Sequence, residues 1–170
     1  MTFKHSTYLE NTAIALTALM TGIMAGFFFT YSFNVNYALA ALEGRMYAIV
    51  QSLLNQNVRH AVFFLFFFGS AALPVLTLIL NKRHVRSVSF WFLLLAGLLY
   101  FFGVVVFTAQ VNLPLNYYTE SWNPNALPAD WQETRQAWNR ANGVRVFTAS
   151  LSFFLYLLVL VMRASHRQKS

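Results

Sequence analysis

The sequence predicts an all-α integral membrane protein, an up-down-up-down four-helix bundle with both termini cytoplasmic. Three observations carry that prediction. The 170-residue chain is 58% hydrophobic and only 10% charged. An average soluble domain has roughly 25% charged residues, so this chain has too few to cover a water-facing surface. Its apolar residues, 18 Phe among them, fall in four long runs, and its basic residues fall in short clusters between those runs. The length suits a single transmembrane domain covering residues 1–170.

The spans follow in order as roughly Thr12 to Phe33, Val58 to Leu80, Val88 to Ala109 and Val144 to Met162. Each approaches the ~20 residues that carry a helix across about 30 Å of hydrocarbon. The first is longer than the roughly 7–15 apolar residues of a secretory signal. Although Ala38-Leu39-Ala40 resembles a cleavage site, the first run therefore reads as a retained helix. Pro74 lies inside the second run and predicts a bend rather than an end. The third run leads into Val111-Asn112-Leu113-Pro114-Leu115-Asn116, two amides flanking a proline where the helix should be leaving the bilayer. Amides and a carbonyl freed by proline need partners from neighbouring helices at such depth. Short connections favour antiparallel neighbours. The longer third connection, about Tyr117 to Gln136, carries Trp122, Pro124, Pro128 and Trp131. Aromatic side chains suit the interface and prolines suit a fixed surface turn, so this segment is placed to cap one mouth of the bundle.

The basic residues set the orientation. Lys4 precedes the first span, Lys82, Arg83 and Arg86 surround His84 in the second connection, and Arg163, Arg167 and Lys169 follow the fourth span. The first and third connections offset their arginines with Glu43, Glu120, Asp130 and Glu133. The positive-inside rule then puts the termini and the second connection in the cytoplasm and the other two connections outside. A bacterial inner (plasma) membrane is the expected location. Orientation also accounts for the net charge of +7, so nucleic acid is not an expected partner. The absence of cysteine excludes disulfides, thiolate nucleophiles and thiolate metal sites. The sequence has no Gly-rich phosphate loop and no Ser-His-Asp spacing.

On this topology the polar residues converge on the outward half. Asn34 and Asn36 follow the first helix; Gln51, Asn55, Asn57, Arg59 and His60 precede the second; Thr108, Gln110, Asn112 and Asn116 close the third; Trp138, Asn139, Asn142 and Arg145 open the fourth. The inner halves read as almost only Leu, Val, Phe and Ala. Trp138, Asn142 and Arg145 fall at i, i+4 and i+7, one helical stripe, and Gln51 and Asn55 share a face if the second helix starts before them. Polar groups at bilayer depth usually face a bundle interior or a wet cavity. The competing structural reading has Arg145 snorkelling to headgroups and the amides tying helices together. His60 is the one histidine near the predicted pocket, with an ordinary pKa suited to proton abstraction; an interfacial hydrogen-bonded histidine is the structural alternative. One histidine falls short of the three or four ligands of a typical metal site. Met20, Met24 and Met46 read as packing.

The segment Thr108-Ala109-Gln110-Val111-Asn112-Leu113-Pro114-Leu115-Asn116 resembles the signature of the anthrone-oxygenase-like family of small membrane proteins, in which Asn-x-Pro-Leu-Asn ends the third helix. The family's Trp-x3-Asn-x2-Arg pattern is matched by Trp138, Asn142 and Arg145, and its Gln-x3-Asn element by Gln51 and Asn55. Phe63 with the Phe-rich run to Gly69, and Gly22 to Phe33, are similar to the family as well. The resemblance implies a four-helix membrane protein. Some fungal relatives oxidise anthrones to anthraquinones without metal or flavin, and many bacterial relatives have no assigned activity. The family pattern does not require histidine at position 60.

The leading expectation is a cofactor-independent oxygenase acting on a lipophilic phenolic or quinone-like substrate. Gln51, Asn55, Asn112, Asn116, Trp138 and Asn142 form the substrate-binding set. Arg145 stabilises a developing phenolate or enolate in the manner of an oxyanion site, and His60 is the candidate base. No metal and no cofactor is expected. The alternative is a non-catalytic membrane module that binds a lipid, quinone or partner protein. Transport ranks third, because the spans are few and no acidic residue lies inside one. Membrane lipid and a lipophilic small molecule are the expected partners, and a homo-oligomer is compatible with the sequence.

Overall fold

The computed structural model describes residues 2–167, with side chains described from Thr7 to Ser165. Lys169 lies outside the described residues, as do the side chains of Lys4, His5, His166 and Arg167. Helix α1 (Thr2–Thr30) runs through a π-helical segment, Tyr31–Val35, into α2 (Asn36–Ala40). Helix α3 (Gly44–Asn57) is separate from α4 (Ala61–Leu80), and a 3-10 turn at Lys82–His84 leads to α5 (Val88–Tyr100). Two further π-helical segments, Phe101–Val106 and Thr108–Asn112, connect α5 to α6 (Leu113–Glu120), and α7 (Trp131–Arg167) closes the chain.

Four rods are long and apolar enough to cross a membrane: Thr7–Ala40, Ala61–Leu80, Val88–Glu120 and Trp131–Ser165. Each packs on its neighbours in sequence and the first packs on the last, which is the expected up-down-up-down bundle. The end bearing the termini and Lys82–His84 is the basic end; the opposite end is the amide end.

The rods are longer than the apolar runs. The third does not stop at Asn112-Leu113-Pro114 but continues to Glu120. Pro114 sits in the first turn of α6, inside the continuous rod, where it lacks the N–H of a helical bond. The wide turns of Thr108–Asn112 come just before it. Gln51 and Asn55 do share a face, but on the separate helix α3 rather than on an extended second span. The chain breaks after α3 because His60 adopts an extended backbone and caps α4, its ring Nδ1 accepting the Phe63 N–H at 3.4 Å. Pro74 stays within a continuous α4 and lies against Gly97, where an added Cβ would come within 3.1 Å of the proline's Cβ.

Small residues let the rods approach. A Cβ at Gly103 would lie 2.5 Å from Thr148 Cγ2, and one at Gly22 would meet the Phe153 ring at 3.0 Å. The bundle interior is filled towards the basic end by Ile14, Leu93, Ala96, Tyr156 and Val159, and towards the amide end by Met24, Phe28, Phe67, Tyr100 and Val104. Leu39, Tyr47, Ala48 and Trp122 form a third cluster with Leu127 and Trp131, which caps the amide end.

The basic half is more polar than the sequence reading allowed. Glu10 is 1% exposed. Its carboxylate meets Arg83 Nε at 2.7 Å, His84 Nε2 at 3.2 Å and Arg163 Nη1 at 3.5 Å. Arg163 also donates to Asn11 and Asn81, and Thr17 and Thr77 are hydrogen bonded at 2.8 Å. The first rod begins before the apolar run, so Glu10 joins the stripe of Ile14, Thr17 and Thr21 that faces the bundle. An acidic side chain therefore does lie within a span. Its burial is tolerated because cations surround it. Replacing Glu10 by Gln leaves those cations without their anion. The expected result is a loss of roughly 1–3 kcal/mol, read as a lower unfolding temperature in detergent.

Candidate functional site

At the amide end the four rods separate around a cavity of about 740 Å³, within the range of small-molecule sites. One wall is aromatic, formed by Phe27 of α1 and Phe63, Phe64, Phe67 and Phe68 of α4. The opposite wall carries Asn55, Asn116, Trp138, Asn142 and Arg145. A larger hollow of about 990 Å³ lies along the outer surface of the bundle beside Phe33, Tyr37 and Phe147. Those side chains are exposed, and the charged residue there, Arg140, is exposed too. The inner cavity is the one with buried charge.

Arg145 is 7% exposed. Its Nη2 donates to Asn142 Oδ1 at 2.8 Å, and its guanidinium carbon lies 4.7 Å from the Phe28 ring centre and 5.6 Å from that of Trp138. No carboxylate pairs with it among the described residues, and its Nε has no hydrogen-bond partner. Asn142 is fixed by its own amide nitrogen, which donates to the Phe28 carbonyl at 3.1 Å and the Ser32 hydroxyl at 2.8 Å. Its carbonyl is therefore presented to the arginine. The predicted stripe on α7 is realised, and Trp138 Nε1 donates to Asn116 Oδ1 at 2.6 Å.

A second relay crosses behind the cavity. The Tyr31 hydroxyl donates to Gln51 Oε1 at 2.8 Å, Gln51 Nε2 to Asn55 Oδ1 at 2.9 Å, and Asn55 Nδ2 to Thr119 Oγ1 at 3.1 Å. Thr119 in turn donates to the Asn116 carbonyl at 2.9 Å. The Tyr31 ring packs on Trp138 at 4.6 Å, joining the relay to the arginine stripe. Arg59 forms an ion pair with Glu120 and lies over the Tyr117 ring, closing the corner between α4 and α6.

Of the sequence-predicted residues, Asn55, His60, Asn116, Trp138, Asn142 and Arg145 border the cavity. Gln51 sits one hydrogen bond behind it. Asn112 is fully buried with neither amide atom partnered and is not on the wall. Thr108, one turn earlier on the same π-helical segment, does border the cavity, and its Oγ1 is also unpartnered. His60 is exposed at the rim, with Nδ1 committed to its capping bond. Tyr31, Ser32, Thr119 and Glu120 escaped the sequence reading. The first two open the π-turn at Tyr31–Val35, inside a run that reads as apolar span. The last two lie beyond Pro114, in a stretch that reads as loop. Among the described residues, no three His, Asp, Glu or Cys gather as a metal site.

A family model described as anthrone oxygenase matches residues 56–155, more than half of the chain. The match runs from the end of α3 well into α7 and takes in His60, Asn112, Asn116, Trp138, Asn142 and Arg145. Gln51 and Asn55 precede it. No curated protein and no solved structure matches the chain.

The cap has a pH signature. Tyr47, 1% exposed under Arg135, has no partner for its hydroxyl. Burial pushes its pKa up to about 12, against a smaller opposing pull from Arg135. The unfolded chain then releases this proton near the ordinary value of 10.0, before the folded chain does at about 12. Stability from this group is complete below pH 10 and falls between those values. Thermal melts from pH 9 to 12 are expected to show a steeper decline for the wild type than for Tyr47→Phe.

Proposed function

The chain belongs to the anthrone oxygenase family, and on that premise we propose that it oxidises a lipophilic phenolic or quinone-like substrate with dioxygen in the cavity at the amide end. The observation that carries this reading is Arg145, a guanidinium buried in an apolar bundle with no carboxylate partner and with Nε unpaired. A buried cation without an anion is costly. An anionic oxygen on a bound ligand lowers that cost, and it does so most when the negative charge has fully developed.

The chemistry needs dioxygen and a stabilised carbanion or phenolate. For an anthrone, a base removes a proton from the ring methylene, and the ring oxygen takes up the negative charge beside Arg145. His60 is the candidate base, through the Nε2 left over from its capping bond. The electron-rich carbon passes one electron to dioxygen, and recombination forms a carbon–oxygen bond. The resulting hydroperoxide loses its second carbon-bound hydrogen and breaks its O–O bond, leaving a carbonyl. One anthrone and one dioxygen thus become one anthraquinone and one water, with the substrate oxidised and dioxygen reduced. The reaction draws on no group besides these. Asn116, whose Oδ1 is held by Trp138, is placed to orient a ring oxygen. Thr108, on the wall with its hydroxyl unpaired, is suited to a ligand group, and Asn112, buried off the wall with both amide atoms unpaired, to an ordered water. In this reading the cavity lies on the non-cytoplasmic side of a bacterial inner membrane, the orientation favoured by the basic residues at the opposite end.

A second reading, a non-catalytic module that holds a lipid, quinone or partner, is favoured by one feature: Gln51, Asn55 and Asn142 direct amide groups to one another's neighbours and to backbone rather than to the cavity. Oxygen uptake by the purified protein with an anthrone or a hydroquinone separates the two. Turnover is expected, and Arg145→Met is expected to lower kcat/KM by about 100-fold or more while retaining the fold. Asn116→Leu is expected to lose more ligand affinity than stability. A panel without turnover above buffer, together with a co-purified lipid of unchanged mass after incubation, would leave the second reading standing.

A further inference from the structure

The cavity is bordered differently on two sides. Towards the membrane surface it is bordered by Asn57, His60 and Tyr117 and by Arg59, which is ion-paired to Glu120. Sideways, between α1 and α4, it reaches the outer surface of the bundle. Ile23, Gly26, Phe27 and Thr30 on α1 and Phe64 and Phe68 on α4 all border the cavity and are all exposed. They stand within rods that are long and apolar enough to cross a membrane, so their exposed side meets hydrocarbon rather than water.

Gly26 is the decisive position. Most helical glycines in this bundle have a packing reason: an added Cβ would strike Phe153 at Gly22, Met20 at Gly69, Pro74 at Gly97 and Thr148 at Gly103. A Cβ at Gly26 would meet nothing within 4 Å. Gly143 shares that freedom but borders the outer hollow instead. Glycine inside a helix is unfavourable relative to alanine, and no neighbour forces it on residue 26. Its missing side chain leaves open space on the cavity lining beside Phe27, whose ring packs on Phe63 of α4 at 5.5 Å.

We infer that the ligand enters and leaves the cavity sideways from the hydrocarbon, through a portal between α1 and α4 whose width is set by Gly26. This rests on the proposed function for the identity of the ligand, though not for the position of the opening. The portal selects flat, apolar molecules that partition into the bilayer. It presents them first to the phenylalanine wall, with Arg145 and Asn142 at the inner end. Gly26 is thus a specificity-determining residue that makes no bond to the ligand.

The chain has no cysteine, so a single thiol introduced at position 26 reports cleanly. In nanodiscs, Gly26→Cys is expected to react with lipid-soluble N-phenylmaleimide at least tenfold faster than with a charged, water-soluble methanethiosulfonate. Comparable rates, or faster reaction with the charged reagent, would place the opening in water and overturn the inference whether or not any ligand binds. The second arm uses 1,8-dihydroxyanthraquinone as probe and follows quenching of tryptophan fluorescence by stopped flow. Gly26→Leu is expected to slow association and dissociation tenfold or more with Kd changed less than threefold. Glu120→Gln, which removes the ion pair to Arg59 at the surface-facing edge, is expected to leave both rates unchanged. Unchanged rates in Gly26→Leu with faster rates in Glu120→Gln would move the entrance to the membrane surface and overturn the portal. Failure of the wild type to bind the probe, with the Gly26→Cys variant still labelled from lipid, would count against the proposed ligand class and leave the hydrocarbon opening supported.

Discussion

The amide end of this bundle is organised around one constraint, the burial of the Arg145 guanidinium without a carboxylate. A cation in that position must be accommodated by weaker means. Here the means are the oriented carbonyl of Asn142 and the faces of Phe28 and Trp138. Each of these is itself held: Asn142 by the Phe28 carbonyl and Ser32, Trp138 by Asn116 and by the Tyr31 ring. The relay through Gln51, Asn55 and Thr119 follows from the same need, since it fixes Tyr31 and the Asn116 backbone in turn. Remove the arginine and much of this arrangement loses its purpose.

The two ends of the bundle treat charge in opposite ways. At the basic end Glu10 is surrounded by Arg83, His84 and Arg163, three side chains from two elements drawn to one carboxylate. That carboxylate is paired with cations, and the cluster binds the start of α1, the turn after α4 and the end of α7 together. At the amide end the buried charge is left with a free valence beside an open cavity. A satisfied ion cluster stabilises a fold; an unsatisfied one stabilises whatever brings the missing charge. The contrast supports the proposed chemistry at Arg145 and a structural role for Glu10.

The fold was largely legible before any coordinates. Four apolar runs with few charges admit little besides a helical membrane bundle, and the short connections fix the up-down order. The α7 stripe was legible because Trp138, Asn142 and Arg145 follow helical spacing in a helix that has no irregularity there. What was lost was lost to irregular helix. The π-turns at Tyr31–Val35 and Thr108–Asn112 shift the phase of everything beyond them. Periodicity therefore sent Asn112 towards the cavity when it is off the wall, and it could not bring Tyr31 to Gln51 because the two stand on separate helices. Glu10 was missed because hydropathy ends a span where charge begins, whereas a helix ends where its backbone bonds run out.

By itself, then, the sequence determined the class of protein, the number and order of its rods, and the set of side chains gathered at one end. Those follow from composition and local periodicity, which any segment carries within itself. Only the tertiary structure decided that Gln51 stands behind Asn55, that His60 spends a ring nitrogen on a helix cap, and that Arg145 lacks an anion. It also decided that exposed residues of α1 and α4 border the cavity. These depend on which atoms of distant segments come within hydrogen-bond reach. That reach is set by packing across the bundle rather than by any spacing along the chain.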